Sequence, residues 1–245
     1  MYLVHGLGGE ISYFYNVVPY LHPEQPVYAL QPPADAYTAL EPIAAHYIRE
    51  IRLRQPTGPY LLGGYCLGGW IAFEMAHQLV EAGESVPLLM IIDSAVPGTR
   101  PLTPLLANRI RRLASSTPAE VLEKVKRRLK RARAPFERAR EVPNDPNMLR
   151  WDSVPRAFHA VATRHYNALR AYTPRPLDTD VWLFRGEDDR FARDLGWTPL
   201  VSGRLTVEMI PGDHSNLLKN PYLPHAARKI AAVLETVATA EASPS

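Results

Sequence analysis

One segment concentrates the residue types that can do covalent chemistry: Gly63-Gly64-Tyr65-Cys66-Leu67-Gly68-Gly69. It lies between a strand-like run (60–62) and a helical pattern (70–80). A cysteine flanked at two residues on each side by glycine, on a tight strand-to-helix turn, is a nucleophile elbow. Glycines flank it because a β-carbon would clash in so sharp a turn. The helix that follows directs its positive N-terminal end at Cys66, which favours a thiolate and the oxyanion formed later.

A thiol nucleophile needs a base, and the base needs an orienting acid. His214, in Pro211-Gly-Asp-His-Ser-Asn, follows the sixth β-like run and precedes the final helix, and is assigned as the base. Of the other seven histidines, His46, His77, His159, His165 and His225 fall on helical patterns and read as packing or surface residues. His22 lies in a Pro-rich loop, and His5 belongs to the first loop. The acid has two candidate places. Asp93 ends the fourth β-like run, and Asp188 and Asp189 follow the fifth. Both are carboxyl ends of strands, where such sites form, and residue type and spacing do not separate them. His5-Gly6-Leu7-Gly8-Gly9 follows the first run. A glycine-rich turn there can aim the N–H of Leu7 at a developing oxyanion, with the N–H of Leu67 as second donor.

Six short apolar runs, at 2–4, 27–30, 60–62, 88–92, 181–184 and 205–210, carry these groups. Their near-continuous hydrophobicity fits strands covered on both faces. Helical patterns at 43–53, 70–80 and 224–237 separate or follow them. Alternating β and α elements predict a mostly parallel, doubly wound sheet. The alternation breaks at about 97–172, where no strand pattern occurs. Thr117-Pro118-Ala119-Glu120 is a capping box that starts one helix there, and a second is expected over 154–171. A helical insertion beside a sheet edge reads as a lid.

The chain has 245 residues with a net charge of +3, 46% hydrophobic and 22% charged, which suits one globular domain and excludes a largely disordered chain. No apolar run is long enough for a spanning helix, and the first residues lack a leader pattern. The single cysteine excludes an internal disulfide framework and a cysteine zinc site. A cytoplasmic location is the expectation. Charge is unevenly spread: residues 109–140 hold 12 basic and three acidic residues, which leaves the remainder at −6. Such a block attracts an acidic partner. Its single aromatic, Phe136, argues against nucleic acid.

Together these segments resemble the thioesterase domain of nonribosomal peptide synthetases and polyketide synthases, an α/β-hydrolase family. The resemblance runs through His5–Gly9, Gln25-Pro-Val-Tyr-Ala-Leu-Gln, Gly64-Tyr-Cys-Leu-Gly-Gly with Ile71-Ala-Phe-Glu-Met-Ala, Ile92-Asp93-Ser94, Leu195-Gly-Trp197 and Gly212-Asp-His214. It implies one α/β-hydrolase domain over 1–245 with a helical lid at about 97–172. It also implies that the acid is Asp93, which follows the strand after the nucleophile's helix, with Asp188 and Asp189 in reserve. The family releases an acyl chain held on the phosphopantetheine arm of a carrier protein, by hydrolysis or by cyclisation, as in antibiotic biosynthesis.

The resemblance thus assigns Cys66, His214 and Asp93 as catalytic and the N–H groups of Leu7 and Leu67 as the oxyanion hole. It implies no metal or bound cofactor, and a carrier domain upstream in the same synthase as partner, with neither nucleic acid nor membrane. Carrier domains are generally acidic, so Lys126, Arg127, Lys130 and Arg131 are expected to dock one. The chain departs from the family at Cys66, where serine is usual. A cysteine acyl-enzyme is itself a thioester, stays activated, and favours macrocyclisation. Two alternatives remain. Dienelactone hydrolases share a Gly-Tyr-Cys-x-Gly-Gly elbow, but their histidine follows the cysteine much more closely than the 148 positions here. A non-catalytic docking domain on a hydrolase fold is the other.

Overall fold

The structure, a computed structural model, describes residues 1–32, 37–96, 99, 155–187 and 191–241. Six strands appear in it: β1 (Tyr2–Val4), β2 (Tyr28–Leu30), β3 (Leu61–Tyr65), β4 (Leu88–Ile92), β5 (Val181–Gly186) and β6 (Leu205–Ile210). They form one sheet in the order β2-β1-β3-β4-β5-β6. Every pairing is parallel. Parallel neighbours need crossovers: α1 (Ser12–Tyr15), α2 (Leu40–Arg54), α3 (Leu67–Glu81) and α4 (His159–Ala171) lie in the first four, a 3-10 turn (Thr198–Leu200) lies in the fifth, and α5 (Leu223–Glu241) follows β6.

The period-2 alternation of each strand divides the core in two. Leu62, Leu89, Ile91, Val181 and Leu183 pack with α2, α3 and α4 on one face. Leu3, Leu88, Met90, Ile92, Phe184 and Ile210 pack with Phe14 and α5 on the other. Apolar surface on both faces is what a parallel sheet requires, so the doubly wound expectation holds. β4 and α3 sit at its centre. All five residues of β4 are buried, and so are twelve of the fifteen in α3.

Local structure differs from expectation at the elbow. The pattern ends the strand at 62 and starts the helix at 70, leaving four glycines as loop. In the structure β3 runs through Tyr65 and α3 begins at Leu67. The glycines belong to these elements because neighbours approach too closely for a side chain. A β-carbon on Gly64 would lie 2.0 Å from the Gly68 carbonyl oxygen, and one on Gly68 would lie 2.3 Å from that of Val4. Packing therefore overrides the weak intrinsic preference of glycine for regular elements.

The helix expected over 154–171 is α4, preceded by a 3-10 turn at Arg156–Phe158. The capping-box helix begun at Thr117, most of the expected lid, the basic positions Lys126, Arg127, Lys130 and Arg131, and the reserve acids Asp188 and Asp189 lie outside the described residues. Among the described residues no helix is long and apolar enough to cross a membrane.

Gly64→Ala should lower the unfolding free energy by about 3 kcal/mol, the upper range for forcing atoms into a packed interior. Gly83, unlike Gly64, has positive φ, and a β-carbon there would meet nothing within 4 Å. Gly83→Ala should therefore cost only about 1 kcal/mol of left-handed backbone strain. Urea denaturation of both variants checks the contrast, and equal losses would contradict the steric account.

Candidate active site

Cys66 is the single residue between β3 and α3, with φ 58° and ψ −121°. A non-glycine residue held there stores backbone strain of about 1–3 kcal/mol. The flanking elements impose it. The Cys66 N–H donates to the Ile92 carbonyl at 3.0 Å, and its own carbonyl accepts from the Gly69 N–H at 3.1 Å. The sharp reversal leaves the Cys66 side chain at the carboxyl edge of the sheet, over the N-terminus of a fifteen-residue helix.

Asp93 is the first residue beyond β4 and also has positive φ, 47°. Its N–H donates to the Phe184 carbonyl at 2.6 Å. Carboxylate Oδ1 accepts the N–H of Gly186 at 2.8 Å, and Oδ2 lies 2.7 Å from His214 Nδ1. The adjacent segment is anchored by two stacked indoles. Trp197 Nε1 donates to the Ser94 carbonyl at 2.6 Å and Trp70 Nε1 to that of Ala95 at 3.1 Å, with ring centroids 4.3 Å apart.

His214 stands on the loop between β6 and α5. That loop is tied by its own polar side chains: Asp213 Oδ1 accepts the Ser215 N–H at 2.8 Å, and Asn216 Oδ1 accepts the Asp213 N–H at 2.7 Å. A β-carbon on Gly186 would press on Gly212 and Asp213, so β5 ends in glycine where this loop crosses it. Tyr65 stacks on the imidazole at 5.1 Å between centroids, and its hydroxyl donates to the His214 carbonyl.

Since Nδ1 faces a carboxylate it carries a proton, which leaves Nε2 of the neutral ring as an acceptor. Burial works against an imidazolium, but the Cys66 sulfur and the Asp93 carboxylate outweigh it and raise His214 well above the ordinary histidine range. Burial, with the neighbouring Cys66 charge, likewise raises the phenols of Tyr65 and Tyr13. Both stay protonated at neutral pH. Asp93 and His214, remote in sequence, are thus hydrogen-bonded, and the Cys66 sulfur is close enough to the imidazole to favour its charged form.

The glycine turn after β1 abuts the first turn of α3, where a β-carbon on Gly68 would lie 2.4 Å from the His5 carbonyl oxygen. The N–H of Gly6 donates to the Tyr13 hydroxyl, and that of Gly9 to the Gly6 carbonyl at 3.1 Å. No acceptor among the described residues takes the N–H of Leu7 or of Leu67. Tyr65, Gly186 and Tyr13 escape sequence reasoning. Their contacts span turns and strand ends with no local signature, although Tyr65 lies inside the elbow motif itself. Among the described residues no group of three or more His, Cys, Asp or Glu is placed to hold a metal ion.

A family model described as thioesterase domain matches residues 1–234. The non-reducing polyketide synthase atnG of Arthrinium sp is 27% identical over 249 residues, covering 95% of this chain and 12% of that protein. The chondramide synthase cmdD of Chondromyces crocatus is 27% identical over 266 residues, covering 97% of this chain and 7% of that synthase. The chain therefore spans about a tenth of the length of these relatives. The NocB thioesterase domain, solved in covalent complex with a fluorophosphonate nocardicin G analog, superposes with a TM-score of 0.65 at 25% identity, over 95% of this chain and 93% of that one. ClbQ from the colibactin pathway has the same fold, with a TM-score of 0.63 at 17% identity over 98% of each chain.

Asp93→Asn removes a charge and a hydrogen bond that favour the imidazolium, and Cys66→Ala removes the sulfur. Each should therefore move the His214 titration to lower pH than in the wild type. Following the imidazole Cε1–H resonance against pH reads both shifts, and an Asp93→Asn curve coincident with wild type would contradict the pairing.

Proposed function

The chain belongs to the thioesterase domain family, and from that premise we propose that it releases an acyl chain from a carrier protein of a polyketide or nonribosomal peptide synthase through a Cys66 acyl-enzyme. The observation that carries the reading is the 2.7 Å Asp93–His214 contact, with the imidazole raised by the nearby sulfur of the cysteine at the strained strand-to-helix junction. A nucleophile, a base and an orienting acid joined in series are the requirements of covalent acyl transfer. The family match favours this over a dienelactone hydrolase.

In the first half-reaction His214 Nε2 takes the Cys66 thiol proton and Sγ attacks the carbonyl carbon of the phosphopantetheine thioester. The oxyanion is met by the N–H groups of Leu7 and Leu67. The carbon–sulfur bond to the pantetheine breaks, and His214 gives its Nε2 proton to the departing thiolate. Asp93 holds the ring in the tautomer that keeps Nε2 toward the reacting atoms. In the second half-reaction neutral His214 takes a proton from water or from a nucleophile within the chain, that atom attacks the acyl carbon, and the Cys66 thiolate leaves. Both acyl carriers are thioesters, so loading is nearly thermoneutral and the intermediate retains the energy for ring closure. No cofactor is required. The acidic face of a carrier domain suits the basic residues Lys126, Arg127, Lys130 and Arg131, and long-range attraction of this kind raises association rates.

Incubation with a small acyl thioester should add one acyl mass to Cys66 on intact mass spectrometry. Cys66→Ala should take none. Asp93→Asn should slow turnover by up to ~10⁴-fold, the loss that follows when the orienting carboxylate is removed. Undiminished turnover by Cys66→Ala would overturn the covalent mechanism and leave the docking-domain alternative.

A further inference from the structure

Two buried imidazoles outside the Cys66–His214–Asp93 series lie behind the glycine turn. His5 is fully buried and His165, on α4, nearly so. Their rings stack with centroids 5.0 Å apart and planes 23° from parallel. His5 Nδ1 lies 2.5 Å from the Gly6 carbonyl oxygen, and His165 Nδ1 lies 2.9 Å from the Leu7 carbonyl oxygen. A carbonyl only accepts, so both Nδ1 atoms carry protons and donate. The His5 ring is neutral: burial, aided by the adjacent His165, pushes it down to about 3. Its Nε2 is then an acceptor 2.7 Å from the Tyr47 hydroxyl, whose single proton is shared between that nitrogen and the Gln31 carbonyl at 2.9 Å. Burial likewise lowers His165. Packing alone needs no nitrogen here, since a phenyl ring fills similar space without two buried polar atoms to satisfy.

We infer that His5 and His165 are positioning residues for the oxyanion donor at Leu7, each clamping one of two successive carbonyls of the turn. The inference rests on the acyl-transfer reading above. In a planar trans peptide the C=O and N–H bonds point in opposite directions. The peptide that carries the Leu7 N–H is the one whose carbonyl belongs to Gly6. Drawing the Gly6 oxygen toward His5 therefore turns the Leu7 N–H away from it. His165 fixes the next peptide plane, so the backbone on both sides of Leu7 is held. The Gly9 N–H, at 3.1 Å from the same Gly6 oxygen, closes the turn. A donor aimed before the reaction costs no reorganisation when charge develops, which is the source of its catalytic value.

The test compares two reactions of the same sulfur. Acylation of Cys66 by a small thioester passes through an oxyanion; alkylation by iodoacetamide is a displacement at a CH₂ carbon and does not. His5→Phe and His165→Phe should each slow acylation at least about tenfold, within the ~100–1,000-fold that loss of one oxyanion donor costs, and leave alkylation within about twofold. His5→Asn and His165→Asn, whose amide nitrogens replace the Nδ1 donors, should recover most of the acylation rate. Acylation as fast in the Phe variants as in wild type overturns the inference. A parallel fall in both reactions also overturns it, by reducing the histidines to structural support. A wild-type protein that alkylates at Cys66 but takes no acyl group overturns the acyl-transfer reading itself, and this inference with it.

Discussion

The architecture depends on one junction, where a buried strand passes into a buried helix across the single residue Cys66. A turn that short forces φ to 58°, a conformation that costs free energy and persists only where its surroundings over-determine it. They do so here by close approach. Gly64 lies against Gly68, Gly68 lies against Val4 and His5, and Gly69 lies against Ser94. These three contacts bring the start of α3 down onto the ends of β1 and β3 and onto the segment after β4. The same contacts set the glycine turn beside the nucleophile.

The second determinant is the way Asp93 spans three elements. It leaves β4 with positive φ, takes the Gly186 N–H at the end of β5 and meets His214 on the loop after β6. Its two oxygens are thereby divided between a structural task and an electrostatic one. Neighbouring strands in parallel register bring their carboxyl ends together, so residues 93 and 121 positions from Asp93 reach it. The stacked indoles of Trp70 and Trp197 hold the backbone that follows. Burial would discourage charge on His214, and the partners on either side of it reverse that preference.

Much of this was legible in the residues. All six strands announce themselves as short apolar runs, and the elbow is recognisable because glycine spacing around a thiol has few other uses. The limits were physical. Asp93 and the Asp188–Asp189 pair both follow apolar runs, so residue type alone left the acid open, and the resemblance favoured Asp93. The pairing with His214 then emerged only in three dimensions. Glycines 63, 64, 68 and 69 read as loop because local propensity disfavours them in strands and helices, whereas their role is steric and involves partners distant in sequence. His165 looks like an ordinary residue on an amphipathic helix; its bond to Leu7 spans 158 positions and has no local pattern. Contacts made by backbone oxygens leave almost no trace in side-chain composition.

The central claim is that the Cys66 junction, the glycine turn and the His214 loop converge on one tetrahedral centre. A crystal structure of Cys66 trapped as a hemithioacetal by an aldehyde analogue of an acyl chain addresses it most directly. The account predicts the oxygen of the adduct within hydrogen-bonding distance, about 2.7–3.1 Å, of both the Leu7 and Leu67 nitrogens, with His214 still bonded to Asp93. An oxygen directed away from both N–H groups, or held by other donors, would contradict it.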